Sequence, residues 1–138
     1  MSLLRTIPAL PVADLEVALI GWTTRLGFSA AHVGAGFAVL RRDDAEVHLW
    51  EADDTRWARR TDLADRPVRS GAESFLAGTA SCRVEVAATE DLTVLAVELG
   101  RTGVSHPAHP EVEVTDYGTE ELHVLDPDGN LVSFFRWR

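Results

Sequence analysis

The sequence predicts an α+β fold in which one unit, a strand, a helix and three further strands, is used twice. Three observations carry that reading. The same order of periods, alternating, then helical, then three short alternating runs, occurs in each half of the chain. In each half, glycine stands at the end of the helical stretch. The two copies are separated by residues 53–79, which hold no sustained period. A length of 138 residues fits a single domain. Its first module spans about 3–52, its connecting loop about 53–79 and its second module about 80–138.

Taken in order, Arg5 to Val12 alternates loosely and carries Pro8 and Pro11. Proline cannot donate to a ladder, so this segment reads as an edge strand or an arm. Asp14 is placed as an N-cap, and Leu15, Ala18, Leu19, Trp22 and Leu26 then share one helical face until Gly27. Strands fit Phe28 to Val33, Phe37 to Arg42 and Glu46 to Trp50, with turns at Gly34-Ala35-Gly36 and Asp43-Asp44. In the second half, Cys82, Val84 and Val86 alternate as in a half-buried strand. Thr89 is a candidate N-cap for a helix with Leu92, Leu95, Ala96 and Leu99 on one face, ended by Gly100 and Gly103. Strands follow at Val112 to Thr115, Leu122 to Leu125 and Leu131 to Phe135. Asp126-Pro127-Asp128-Gly129 is a strong turn signal between the last two. The connecting segment is long for a bare loop, which fits either a cover for a functional surface or a solvated linker with short helical turns. Its basic residues are Arg56, Arg59, Arg60, Arg66 and Arg69, and its aromatic anchors Trp57 and Phe75.

Composition excludes several classes of function. The formal net charge is −9, all the basic residues being arginine, which argues against a nucleic-acid partner because phosphate contacts need clustered positive charge. It is compatible with a cationic ligand and equally with plain solubility. No apolar run approaches the roughly 18 residues of a membrane span, and the N-terminal stretch lacks a secretory pattern. The cytoplasm is the expected compartment. Cys82 is the single cysteine, so no intrachain disulfide forms, and its valine-rich strand makes it a small buried hydrophobe rather than a nucleophile. No Gly-x-Ser-x-Gly elbow or phosphate-binding glycine loop occurs, and the carboxylate pairs Asp43-Asp44 and Asp53-Asp54 sit at turns.

Two motifs resemble a known superfamily. Val12-Ala13-Asp14-Leu15 with Trp22-Thr23-Thr24-Arg25-Leu26-Gly27-Phe28 is similar to the opening signature of the vicinal-oxygen-chelate proteins. That group includes glyoxalase I, extradiol dioxygenases, fosfomycin-resistance enzymes and bleomycin-resistance proteins. Leu125-Asp126-Pro127-Asp128-Gly129-Asn130 resembles its closing signature. Within the group, Gly36 to Asp44 and Asp116-Tyr117-Gly118-Thr119-Glu120-Glu121-Leu122 resemble the bleomycin-resistance branch. The resemblance implies two βαβββ modules with curved mixed sheets. It also implies a homodimer, often with an exchanged N-terminal strand, and ligand grooves at the dimer interface.

Enzymes of this superfamily mostly hold a divalent metal with His, Glu and Gln from four strands. Counted from the motifs, the four positions are Ile7, His48, Ser81 and Ser133. One good ligand among four does not hold a catalytic metal, which needs about three protein ligands. No metal and no cofactor are therefore expected. Two weaker groupings remain: His106 and His109 with Glu111 and Glu113 in a proline-marked loop, and His123 if it faces inward toward His48.

Without a metal, the resemblance implies a non-catalytic protein that sequesters a bleomycin-type or other planar, cationic small molecule. Phe37 and Tyr117 match the branch's aromatic positions; Trp50 and Trp57 would extend the wall, with core packing as the plain alternative. Gly118 would let a planar ligand approach the backbone, and His48 would line the groove. Glu51, Glu120 and Glu121 are candidates to face a cationic tail. The competing readings are a glyoxalase- or dioxygenase-like metalloenzyme with displaced ligands, and a dimeric domain of regulatory or structural role.

Overall fold

The computed structural model describes residues 1–53, 56–67 and 76–138. Asp54, Arg69 and Phe75, singled out above, lie outside the described residues. The first module contains β1 (Ala9–Val12), α1 (Leu15–Thr24), β2 (Ser29–Gly34), β3 (Phe37–Arg42) and β4 (Ala45–Glu51). The second contains β5 (Ser81–Glu85), α2 (Leu92–Arg101), β6 (Glu113–Val114), β7 (Thr119–Leu125) and β8 (Leu131–Trp137). Between them a short 3-10 turn covers Trp57–Arg59.

Each module forms one four-stranded mixed sheet, in the order β1-β4-β3-β2 and β5-β8-β7-β6. The first strand runs parallel to the fourth in both, and the other pairs are antiparallel. β1 is an edge strand, which is why Pro11 is tolerated in it. It is shorter than the sequence suggests: only the carbonyl of Pro8 extends its ladder, accepting from the His48 amide at 3.0 Å.

The helices start where a side chain satisfies their free amides. Asp14 accepts from the Val17 amide at 3.0 Å. The second cap is Asp91, not Thr89: residues 88–90 form a turn, and the Asp91 carboxylate takes the Thr93 amide at 2.9 Å.

Leu10, Val12, Leu15, Ala18, Trp22, Leu40 and Leu49 from the first module share one hydrophobic core with Leu92, Leu99, Leu122, Val124, Val132 and Phe134 from the second. Burying such side chains contributes about 1.5–3 kcal/mol each. Cys82 belongs to this core, and burial followed by the charge of Asp126 pushes its thiol up to about 11.

The two signature motifs meet in space. Asn130 donates to the Pro11 carbonyl at 2.8 Å and to Asp126 at 2.9 Å, and its Oδ1 accepts the Ala80 amide at 3.1 Å. Asp126 also accepts the Trp22 indole N–H at 3.3 Å, and Asp128 accepts the Ala13 amide at 2.8 Å. A Cβ on Gly21 would stand on the Pro127 ring, so only glycine lets α1 lie against this turn. The opening and closing motifs are thus the clasp between the modules.

Candidate functional site

Strand parity splits each sheet into a core face and an open face. In β3 and β4, Ala38, Leu40, Val47 and Leu49 are buried, while Phe37, Val39, His48 and Trp50 project to the other side and are half-buried. Register places Phe37 opposite Trp50, and Val39 opposite His48. The Phe37 ring lies 4.6 Å from Trp50 and 5.1 Å from His48, edge to face with the latter, and 6.3 Å from His32 on β2. Neither Phe37 nor Trp50 belongs to the hydrophobic core. Beside them, Glu46 bridges Arg41 at 2.9 Å, His48 at 3.1 Å and Arg5 at 3.3 Å. The hydrogen bonds from Arg41 and His48 hold its carboxyl below the usual carboxylate range.

The open face of the second module is built by the same rule. Thr119, Glu121 and His123 of β7 share it with Ser133, Phe135 and Trp137 of β8. Arg83 of β5 lies 4.4 Å above the Phe135 ring, and Phe135 stands edge-on to Trp137 at 6.1 Å. Glu121 is buried, and one of its oxygens accepts from Arg83 at 2.6 Å, Tyr117 at 2.7 Å and Thr119 at 2.8 Å. Burial pushes its carboxyl up, but the hydrogen bonds from Tyr117, Arg83 and Thr119 outweigh that, and the group titrates below its ordinary value. Tyr117 is thereby held by its hydroxyl, with 57 % of its surface open. Gly118 has φ +92°, and nothing lies within 4 Å of where a side chain would begin.

Three expectations about charge change with these contacts. Glu121 is not an exposed acid awaiting a cation, since Arg83 already neutralises it. Glu120 is tied to Arg136 at 2.8 Å. Glu51 is exposed, but its carboxylate accepts the Leu15 amide at 3.1 Å at the start of α1. Trp57 is half-buried in the 3-10 turn after β4.

The counted metal positions carry the wrong chemistry for a metal. Ile7 has no donor, Ser81 is an exposed hydroxyl, and the Ser133 hydroxyl is engaged with His123 at 2.8 Å. His48 and His123 lie on different sheets with different partners. His109 pairs with Glu113 at 2.7 Å. Among the described residues no group of three or more His, Cys, Asp or Glu side chains is arranged to hold a metal ion. The residues present do not fit the superfamily's metal.

Sequence reading missed Arg83, Phe135, Trp137 and His32 as members of the open faces. The alternation of residues 131, 133, 135 and 137 was the available signal for two of them; ending the strand at Phe135 hid it.

No protein-family model matches the sequence. A bleomycin resistance protein of Geobacillus stearothermophilus is 43% identical over 136 residues, covering 97% of each chain. One from Staphylococcus aureus strain N315 matches to the same extent. Among solved structures, the bleomycin-binding protein of the bleomycin-producing Streptomyces verticillus, complexed with copper(II)-bleomycin, superposes with a TM-score of 0.69 at 23% identity. The match covers 97% of this chain and 96% of that one. A bleomycin resistance determinant encoded on the transposon Tn5 also gives 0.69, at 20% identity, covering 97% and 98%. These structures share the fold.

Proposed function

The chain belongs to the bleomycin resistance protein family, and we propose that it binds bleomycin or a similarly planar, cationic small molecule between its open sheet faces without transforming it. The observation that carries this is the aromatic cluster of Phe37, Trp50 and His48, which stands outside the core on the face opposite the one that α1 packs against. Aromatic rings held this way offer stacking surfaces, each pair contributing about 0.5–1.5 kcal/mol beyond area burial. Tyr117, steadied by Glu121 beside the open backbone of Gly118, adds a second such surface. A net charge of −9 favours a cationic ligand through the field of the whole molecule, since Glu51, Glu120 and Glu121 are engaged within the fold. The relatives' names and the copper(II)-bleomycin complex support the ligand class. Neither sheet alone encloses a ligand, so the working form is a homodimer in which the face of one subunit meets that of its partner. No helix among the described residues is long and apolar enough to cross a membrane, in keeping with action in the cytoplasm.

Titration with bleomycin, followed by tryptophan fluorescence, tests the reading. The parent should bind, and Phe37→Ala and Tyr117→Ala should each bind about thirtyfold more weakly, the equivalent of roughly 2 kcal/mol for an aromatic anchor. Phe37→Ala should melt near the parent, because its ring is outside the core, while Tyr117→Ala should melt somewhat lower without unfolding, because it also removes a hydrogen bond from the buried Glu121. His48→Ala should cost less. A parent that does not bind, or variants that unfold or bind as well as the parent, would overturn the assignment.

A further inference from the structure

Arg83 stands on the open face of the second module, and the fold holds it from two sides. Beneath it, the Phe135 ring lies 4.4 Å from the guanidinium carbon. At its edge, Glu121 accepts from Nη2 at 2.6 Å. Glu121 is itself buried, 4 % exposed, and the same oxygen takes the Tyr117 hydroxyl at 2.7 Å. The phenol and the guanidinium therefore converge on one post. The Arg83 side chain nevertheless keeps 46 % of its surface open. A guanidinium carries five N–H groups. Glu121 and the Tyr117 oxygen occupy no more than two of them, and the rest have no partner among the described residues. A guanidinium buttressed in this way has lost its rotamer freedom before any ligand arrives, so a hydrogen bond formed to it costs little further order.

The charge around Arg83 decides what those donors take. Glu121 neutralises it, and Glu85, two residues along β5, shares its face by parity and stands opposite Phe135 in the register. With two carboxylates to one guanidinium, in a chain of net charge −9, an anionic ligand group gains nothing from the surrounding field. A neutral carbonyl oxygen accepts the same N–H groups without that repulsion. We propose that Arg83 is a specificity-determining residue of the open face, donating to a carbonyl group borne by the planar body of the ligand while that body lies on Tyr117. The inference deepens the reading of these faces as ligand-binding surfaces and rests on it. It adds a preference for planar compounds with a carbonyl on the ring system over the corresponding carboxylates.

Quinoline-6-carboxamide, quinoline-6-carboxylate and 6-methylquinoline share one planar body and differ in the group offered to Arg83. Each is titrated into the full-length ¹⁵N-labelled protein, and the Arg83 Nε–H resonance is followed with the backbone amides. The carboxamide should move the Arg83 resonance and bind about tenfold more tightly than 6-methylquinoline, the advantage of one hydrogen bond to a charged donor. The carboxylate should bind more weakly than the carboxamide. Arg83→Lys keeps a cation beside Glu121 but loses the planar fork. It should abolish the carboxamide advantage and weaken bleomycin about tenfold. Binding of 6-methylquinoline and the acid-denaturation profile should stay near the parent's, whereas a purely structural role for Arg83 would move that profile. Glu85→Gln, at an exposed position, leaves Arg83 in place and should strengthen carboxylate binding about threefold. Equal binding of the three probes, a carboxylate tighter than the carboxamide, an advantage that survives Arg83→Lys, or no binding of any probe overturns the proposal. Bleomycin separates this from the wider reading. If the parent binds it and Arg83→Lys binds it equally well, the assignment of Arg83 fails alone. If the parent does not bind it, the bleomycin reading fails while the quinoline probes still report on Arg83.

Discussion

At Glu121 one oxygen takes three hydrogen bonds, and the consequence is a carboxylate that serves as a post for Tyr117 rather than as a charge for a ligand. Because its folded-state value lies below the ordinary 4.5, the carboxylate contributes stability above about that pH, and that contribution is lost as pH falls through the lower folded value. Chemical denaturation at pH 7 and at pH values below 4.5 should therefore show acid destabilisation of the parent, with a flatter profile for Glu121→Gln. An unchanged profile in the variant would assign the acid dependence to another group. Glu121→Gln should also weaken bleomycin binding through a looser Tyr117, and not merely change its salt dependence. Cys82 gives a second reading at this scale. With its thiol near 11, the thiolate is scarce at neutral pH, so a thiol-reactive dye should label the folded protein very slowly and take one equivalent on unfolding. Rapid labelling of the folded chain would contradict the burial seen here.

At the scale of elements, the clasp formed by Asp126 to Asn130 joins the modules through buried polar atoms. Asn130→Ala removes the partner of the Ala80 amide and one of two donors to the Pro11 carbonyl, which keeps the Gly78 amide at 3.3 Å. Leaving one such group unsatisfied costs about 1–3 kcal/mol, so a loss of roughly 2 kcal/mol is expected from urea unfolding. A change under 1 kcal/mol would mean that water replaces the side chain. The elements themselves were largely legible in the sequence, because period, glycine ends and the Asp-Pro-Asp-Gly turn are local signals. The cap of α2 was misplaced by two residues because Thr89 and Asp91 are both competent acceptors, and only the intervening turn decides between them. The site was less legible. Alternation tells which residues share a face, but Phe37-Ala38-Val39-Leu40 and Leu131-Val132-Ser133-Phe134-Phe135 carry apolar side chains on both faces, so parity alone does not say which one is the core. The partner of Glu121 lies 38 residues away, and only the register of β5, β8 and β7 brings Arg83 to it.

At the scale of the whole molecule, α1, α2 and the shared core occupy one side of each sheet, and among the described residues no helix packs on the other side. Tyr117 is 57 % and Trp137 52 % exposed in the single chain, and Val33 on β2 and Val114 on β6 are 53 % and 61 % exposed along free sheet edges. Exposed aromatics and edges of this kind are what an association surface offers. A net charge of −9 works against self-association, because two like-charged copies repel. The proposed dimer must therefore be held by apolar contact, and added salt should strengthen it, the reverse of an interface held by ion pairs. Light scattering at micromolar concentration should give twice 15.1 kDa, with the dimer persisting at lower protein concentration when salt is raised. Trp137→Glu should shift the equilibrium toward monomer while leaving circular dichroism unchanged, since this ring is outside the core. If the ligand is held between two subunits, the same variant should lose bleomycin affinity in proportion to the loss of dimer, and raising protein concentration should restore it. A parent that scatters as a monomer throughout would remove the second wall of the groove. A monomeric variant with full affinity would place the ligand on one subunit alone.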